Sequence, residues 1–214
     1  GLVYYAQGEY SQALNKYESS MAIYAVLYGR NHPVVATCYN NMGLVLYSQG
    51  RYDDAIKRYK TSLKVYIAVY GASDNTNVAM CCNNLGNVYK LLGQYSDALY
   101  YYETSLSIDL SIQDTNHSDV AMSHGNIATI YHALGNYKEA ISHYESCISI
   151  YLTIYGHEHR EVATNYYYLG DIAYIQGRYT DALTKYQTSV DIYITLYGQN
   201  HPDVADCFNS MGNA

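Results

Sequence analysis

The sequence predicts an all-α fold, a solenoid of antiparallel helical hairpins. Three observations support this prediction: a segment of about 42 residues recurs along the chain, apolar residues within each copy have helical spacing, and only two prolines occur, Pro33 and Pro202. Recurrence at this length together with a helical period is typical of hairpins that stack on one another. With 49% apolar residues, the chain can also form the continuous core that such a stack requires.

The repeat is marked by glycine, tyrosine and alanine at fixed positions, such as Gly50, Tyr52 and Ala55. Five copies begin at residues 1, 43, 86, 128 and 170, and a partial helix follows at 212–214. The copies are evenly spaced, except that the second is longer than the others by a single residue, which the predicted loop 71–77 takes up. We therefore expect a single solenoid of about five repeats over residues 1–214.

Each copy is predicted to contain two helices joined by a tight turn. In the second helix of one copy, apolar residues follow one another at steps of 3, 1, 3, 4, 3 and 4, which draws one stripe along about 19 residues: Tyr52, Ala55, Ile56, Tyr59, Leu63, Tyr66 and Tyr70. The first helix has a similar stripe from Val78 to Tyr89. Gly50 and its equivalents are expected to end the first helix in the left-handed conformation. Between hairpins, Gly29 is expected to end one helix and Pro33 to begin the next.

Both ends of the chain fall inside a predicted first helix, Gly1 in its middle and Ala214 at a similar point of a further copy. Terminal repeats of a solenoid generally carry a polar capping face, and neither end has one in the sequence. We expect a fragment of a longer array. The alternative is end-to-end self-association through the uncapped terminal repeats, which need not close into a ring.

Composition and motifs argue against several other classes of protein. The net charge of −7, from 12 basic and 19 acidic side chains, opposes binding to nucleic acid. No apolar run is long enough to predict a membrane span. The sequence has no phosphate-binding glycine loop and no hydrolase or metalloprotease motif. We expect no enzyme activity, no catalytic residues and no cofactor.

The cysteines and histidines are predicted to have structural roles. Five cysteines, an odd number without a CxxC pair, predict buried, reduced thiols and a cytoplasmic location. Four histidines recur in the loop before the first helix, and we expect them to belong to the loop or to cap that helix: His32, His117, His159 and His201. Equivalent loops of packed hairpins lie about 10 Å apart, too far for one zinc ion with bonds of about 2 Å. No metal site is therefore expected.

The pattern formed by Leu85, Gly86, Tyr89, Gly93, Tyr95, Ala98 and Tyr102 resembles the tetratricopeptide repeat (TPR) signature. The length of the repeat, the Asn-Asn-Met-Gly of 40–43 and the His-Pro-Asp-Val-Ala of 201–205 resemble the long variety found in kinesin light chain. This resemblance implies a right-handed superhelix of hairpins. It also implies that the tyrosines repeated in the second helix lie in the core: Tyr17, Tyr59, Tyr102, Tyr144 and Tyr186.

In this family the first helices line a concave groove that binds extended peptides, so the resemblance implies a set of groove residues. These are Asn40, Tyr47, Asn83, Asn87, Lys90, Asn126, Thr129, His132, Tyr167, Asp171, Tyr174 and Asn209. Carboxamides suit this role because they both donate and accept hydrogen bonds. Asn40, Asn83 and Asn209 could equally satisfy polar groups where repeats meet.

The resemblance predicts a protein-interaction scaffold, a kinesin-light-chain-like adaptor that binds a peptide or partner segment. Lys90 is the one lysine or arginine at the groove positions, so we expect neither a clamp for a terminal carboxylate nor an acidic ligand. The predicted ligand is a largely uncharged protein segment. Two alternatives stay open: a structural array that stacks end to end, and a sensor region of a larger signalling protein.

Overall fold

A computed structural model describes residues 1–72, 75–112 and 117–214, and within these ranges the chain is helical without any strand. The predicted all-α solenoid of consecutive hairpins is confirmed. The described residues form eleven helices: α1 Leu2–Ala6, α2 Tyr10–Tyr28, α3 Pro33–Ser48, α4 Tyr52–Tyr70, α5 Thr76–Leu91, α6 Tyr95–Ile112, α7 Ser118–Ala133, α8 Tyr137–Tyr155, α9 Arg160–Ile175, α10 Tyr179–Tyr197 and α11 Pro202–Asn213. Part of the predicted insertion loop, residues 73–74, lies outside the described ranges.

The helices form two compact units, Gly1–Ile112 (unit 1) and Gln113–Ala214 (unit 2). Unit 1 contains the pairs α1/α2, α3/α4 and α5/α6, and unit 2 contains α7/α8, α9/α10 and the helix α11. Within each unit every helix packs on the next helix along the chain. In the part of the chain that the structure describes, none of the helices combines the length and apolarity needed to cross a bilayer.

The turn inside each hairpin has the geometry predicted for its glycine. After α3, the N–H of Gly50 donates to Tyr47 O and that of Arg51 to Leu46 O, both at 2.9 Å. These two bonds are the Schellman arrangement, which requires a left-handed residue, and Gly50 has φ 72°. Because an L side chain is strained in that conformation, this position selects glycine.

The loop between hairpins begins with a second glycine and ends with a side chain that caps the next helix. Gly29 has φ 87° where α2 ends. The ring Nδ1 of His32 accepts a hydrogen bond from the N–H of Val34 at 3.3 Å, and Pro33 is the first helical residue. The other predicted loop histidines cap their helices in the same way, and an asparagine does so in the remaining copy: His117, His159, His201 and Asn75. The predicted cap role of the histidines is confirmed.

The two helices of a hairpin approach closely through small residues. The alanine of the second helix is fully buried in every copy, as with Ala98. A Cβ atom added to Gly86 of α5 would lie 2.6 Å from ring carbons of Tyr102 in α6. The repeated tyrosines are buried, with exposed fractions between 0% for Tyr102 and 9% for Tyr17. Their predicted place in the core is confirmed.

All five cysteines are buried free thiols, as the sequence predicts. Burial raises the pKa of the thiols, that of Cys82 to about 12 and that of Cys147 to about 12. Because the thiolate is the reactive form, these side chains act as small apolar core residues.

Candidate ligand-binding surface

The twelve predicted groove residues all lie on the first helices of their hairpins. In unit 1 they are Asn40 and Tyr47 on α3, and Asn83, Asn87 and Lys90 on α5. In unit 2 they are Asn126, Thr129 and His132 on α7, Tyr167, Asp171 and Tyr174 on α9, and Asn209 on α11.

Asn40 is buried between α3 and α5, with 5% of its surface exposed. Its Oδ1 accepts a hydrogen bond from Nδ2 of Asn84 at 3.1 Å and from the thiol of Cys81 at 3.7 Å. The carboxamide thus satisfies polar groups where two repeats meet, which is the structural role that the sequence left open. Asn83 is half-buried and Asn209 is exposed.

Two of the predicted residues are hydrogen-bonded to tyrosines of the core. The Tyr102 hydroxyl donates to Asn87 Oδ1, and the Tyr186 hydroxyl donates to Asp171 Oδ1, both at 2.7 Å. Burial raises the pKa of the Asp171 carboxyl, while the bond from Tyr186 opposes that shift. Sequence reasoning did not identify these bonds, although each acceptor directly follows the helix glycine that contacts the same tyrosine.

Another set of predicted residues packs on the start of the second helix. The rings of Tyr47 and Tyr52 have centroids 6.0 Å apart across the turn, and those of Tyr174 and Tyr179 are 5.7 Å apart. Lys90 takes the equivalent position in α5, and burial lowers the pKa of its ammonium group. Tyr47 and Tyr174 therefore join the two helices of a hairpin and have only part of their surface left for a ligand.

In unit 2 an aromatic cluster connects α7, α8 and α9. The rings of Tyr144 and Tyr168 stack with centroids 5.5 Å apart, and His132 lies edge-on to Tyr168 at 6.1 Å. The Tyr144 hydroxyl is 3.4 Å from Nδ1 of His132. Burial lowers the pKa of His132, and the charge of Asp171 acts in the opposite direction.

A cleft of about 280 Å³ opens beside this cluster, between α7 and α9. The predicted residues Asn126 and Thr129 line it. Gly125, Glu161 and Tyr168 line it as well, and these three are not among the twelve residues named above. We call it the Gly125 cleft. It presents oxygen atoms, aromatic rings and a carboxylate, which can form hydrogen bonds and ring contacts with a ligand.

A second cleft, of about 200 Å³, adjoins the first and lies between α9 and α11. Tyr167, a predicted residue, lines it together with Asp203 and Asp206. The Tyr167 hydroxyl is 2.9 Å from Oγ of Ser210 and so connects α9 with α11. Tyr168 contributes to both clefts, which are therefore neighbouring parts of one surface.

Two larger cavities in unit 1, of about 360 and 460 Å³, lie against the second helices and contain none of the predicted residues. In the first of them, Arg51 and Lys57 are paired with Asp54 at 2.7 and 3.4 Å. Because predicted residues line the unit 2 clefts and neither of these two cavities, the unit 2 clefts are the candidate site. In the described ranges no group of three or more His, Cys, Asp and Glu side chains is placed to hold a metal ion.

Consecutive helical hairpins, in each of which two helices approach closely through small residues, define a helical-repeat protein. The sequence model of the tetratricopeptide repeat family matches residues 1–68, 42–111, 119–194 and 161–214. The chain therefore belongs to the tetratricopeptide repeat family, whose repeats generally mediate protein–protein interactions and typically form scaffolds without enzyme activity. Comparison with curated protein sequences gives no significant match.

Several solved structures have the same fold at low sequence identity. BtubC (BKLC) from P. vanneervenii is 18% identical with a TM-score of 0.79, over 95% of this chain and 82% of that one. A kinesin light chain-type protein of Podosopora anserina with nearly identical TPR-like repeats is 18% identical with a TM-score of 0.75, over 91% and 92%. The apo form of RapI is 17% identical with a TM-score of 0.78, over 100% and 81%. At this identity the likeness shows the fold alone.

Proposed function

We propose that this chain is an adaptor module that binds an extended protein segment on the first helices of its hairpins. The observation that carries this proposal is the pair of adjoining clefts in unit 2, which open between α7, α9 and α11. On the second helices the repeated tyrosines and alanines, such as Tyr144 and Ala140, are buried and hold the hairpins together. The first helices of unit 2 supply most of the residues that line the two clefts.

The chemistry of the clefts fits a peptide better than a small molecule. Asn126 and Thr129 can bond the donors and acceptors of an extended backbone. Tyr167 and Tyr168 supply rigid rings with polar tips, a common feature of protein interfaces. Pockets that enclose a whole small molecule begin at about 300 Å³, and each of the two clefts is smaller than that.

Selection of a peptide library displayed on phage tests this proposal. Peptides selected on the full chain are synthesised with a fluorescein label, and their affinity is measured by anisotropy. We expect dissociation constants near micromolar, about −8 kcal/mol. The double variant Asn126→Ala, Thr129→Ala should weaken binding several-fold, because both side chains line the Gly125 cleft.

The matched control is the double variant Thr184→Ala, Gln187→Ala, whose residues are exposed on the second helix α10. It should leave the affinity unchanged. Failure to select any binding peptide would refute the proposal. So would an equal loss of affinity in both double variants.

A second candidate function is end-to-end self-association, which a specific pairing of residues favours. Arg58 lies over the Tyr39 ring at 5.8 Å and Lys185 over the Tyr166 ring at 5.6 Å, each joining the two helices of a hairpin. The equivalent positions at the two ends hold Phe208 on α11, 52% exposed, and Lys16 on α2. A second copy could therefore complete the same pair between molecules.

The exposed side of α2 is also apolar: the exposed fractions are 60% for Ile23, 86% for Val26 and 63% for Leu27. Light scattering at rising protein concentration tests self-association. Growth of the molar mass that Phe208→Asp abolishes supports this second candidate, whereas a constant mass over the whole range rejects it.

A further inference from the structure

The Gly125 cleft lies where one repeat lacks a side chain that its siblings possess. At the position of Gly125 the other copies carry Asn40, Asn83, Tyr167 and Asn209. In unit 1 the Asn40 side chain fills the junction and contacts Cys81 and Asn84. Gly125 lies in the interior of α7, where glycine is a poor helix former. The cleft beside it, of about 280 Å³, is larger than the equivalent cleft of about 200 Å³ between α9 and α11, where Tyr167 takes the place of Gly125.

The size and walls of the cleft suit a single long side chain. A Cβ atom added to Gly125 would lie 3.3 Å from Sγ of Cys147, which places that thiol at the floor. The stacked rings of Tyr144 and Tyr168 form one wall. Met122, 41% exposed, stands at the rim. These groups offer apolar surface for a methylene chain.

The polar end of the cleft carries a negative charge. Glu161 lines it, and no salt bridge to its carboxylate occurs within the described residues. Burial raises the pKa of the Tyr168 and Tyr151 hydroxyls in the wall, and the charge of Glu161 adds to both shifts. At Tyr168 the charge of Asp171 also raises the pKa, and that of Arg160 lowers it. The Glu161 carboxylate is thus close enough to act on the groups that a ligand would contact.

Unit 2 as a whole also carries a negative charge. Residues 113–214 contain eleven acidic and four basic side chains, whereas residues 1–112 contain eight of each. The net charge of the chain is therefore concentrated in the unit that contains the cleft. The adjoining cleft is lined by two carboxylates, Asp203 and Asp206, and by one cation, Arg160. An excess of one sign over a binding surface attracts segments of the opposite sign.

We propose that the Gly125 cleft receives a lysine or arginine side chain of the partner segment, with its stem between Tyr168 and Cys147 and its cationic head at Glu161. This inference rests on the proposed function and assigns the chemistry of the ligand. The sequence predicted a largely uncharged ligand from the absence of cations. The carboxylates that the structure places in the two clefts select a basic segment for unit 2.

The acidic residues have a second physical role that the experiment must separate from binding. Asp119, Glu161 and Asp203 occupy the first turns of α7, α9 and α11, where a negative charge stabilises a helix. Replacement of Glu161 could therefore lower stability as well as affinity. Gly125 has no such role, and asparagine is already present at its position in three sibling repeats.

The test uses the full chain and labelled peptides from the phage selection. The selected sequences should be enriched in lysine and arginine. Substitution of the critical basic residue by glutamine should weaken binding about tenfold, the effect of losing one charge-assisted hydrogen bond. Glu161→Gln should give the same loss with the basic peptide and no additional loss with the glutamine peptide. Gly125→Asn should weaken binding of the basic peptide at least about tenfold, because the new side chain fills the cleft.

Thermal unfolding of each variant shows whether it remains folded, and Gly125→Ala is the smaller substitution to use if Gly125→Asn lowers the melting temperature. Peptides that bind without enrichment in basic residues, or with the same affinity for Gly125→Asn and wild type, would overturn the inference and leave the proposed function standing. Failure to select any binding peptide would overturn both.

Discussion

At the scale of single residues, tyrosine hydroxyls and helix glycines determine how closely the two helices of a hairpin approach. Gly86 and Gly170 leave room for a tyrosine ring, and the next residue of the helix accepts a hydrogen bond from that tyrosine. In the second copy the accepting position is Leu44. The chain therefore contains the same buried ring with and without a side-chain acceptor.

This difference predicts the cost of removing a hydroxyl. Tyr102→Phe leaves the half-buried Asn87 carboxamide without its donor, which should lower the free energy of unfolding by about 1–2 kcal/mol. Tyr59→Phe is the matched control, because Leu44 offers no acceptor, and should change the free energy of unfolding by less. Urea unfolding of both variants measures the difference. An equal loss in the two variants would argue against the hydrogen bond as the cause.

The close approach of glycine and ring predicts the effect of a larger side chain. Gly86→Val places atoms where the Tyr102 ring already lies, 2.6 Å from the added Cβ, and should destabilise the chain by about 1–3 kcal/mol. Gly125→Ala, in the same face of another first helix, has 3.3 Å to its nearest neighbour and should cost far less. Thermal unfolding compares the two, and similar melting temperatures would contradict this account of the helix contact.

At the scale of helices, the caps explain why the boundaries recur. His159 caps α9 through Nδ1, which accepts from the Glu161 N–H at 3.2 Å, and its ring stacks on Tyr155 at 4.6 Å. Asn75 caps α5 with a carboxamide at 2.8 Å. Imidazole and carboxamide are thus interchangeable as the acceptor at this position.

Because histidine and asparagine both serve as caps, we can predict the stability of two variants at His159. His159→Ala removes the acceptor and should cost about 0.5–2 kcal/mol of the free energy of unfolding. His159→Asn restores an acceptor and should recover most of that loss, as Asn75 does in its own repeat. Urea unfolding measures both. No recovery with asparagine would mean that the stacked ring, rather than the cap, stabilises the helix.

The contact between α7 and α8 predicts acid sensitivity. The Nδ1 atoms of His124 and His143 are 2.8 Å apart. Burial and the neighbouring ring lower the pKa of His124 to about 4. The unfolded chain, in which this histidine has a pKa near 6.5, binds more protons than the folded chain between about pH 6.5 and 4. Stability should therefore fall as the pH falls through this range, by at most about 1.4 kcal/mol per pH unit.

Sibling repeats supply the control for this acid effect. The double variant His124→Tyr, His143→Lys installs the aromatic and cationic pair that Tyr166 and Lys185 form. It should lose the acid sensitivity that the histidine pair causes. Urea unfolding at pH 7 and at pH 4.5 compares this variant with wild type. An unchanged dependence on pH would assign the effect to other groups, such as His132, whose pKa burial also lowers.

At the scale of the whole molecule, the fold could be predicted because the features that produce it are visible in the sequence of each repeat. Helical spacing, the glycine after each first helix and the capping residue before each hairpin are all local features of the sequence. Because they recur in five copies, each copy supports the interpretation of the others. The candidate site was less predictable. Asn40 is buried by a side chain of the next repeat, and Asn87 is held by a tyrosine of its partner helix. Such contacts depend on packing between elements, which periodicity does not encode.

The clefts, too, could be predicted from the sequence only in part. Asn126 and Thr129 were predicted from their position on the first helix, but Gly125 became important only because its neighbours leave a space that no side chain fills. Glu161 and Tyr168 border that space from the next hairpin. A departure from the repeat, such as one glycine among asparagines, is the sequence signal that could have indicated it.

Photo-crosslinking with a selected peptide tests most directly whether first helices form the binding surface. A benzophenone amino acid replaces Met122 on α7, 41% exposed, or Leu183 on the second helix α10, 37% exposed. After irradiation, mass spectrometry locates the linked peptide. We predict a crosslink from position 122 and none from position 183. A crosslink from position 183 alone would place the ligand on the second helices and contradict the account.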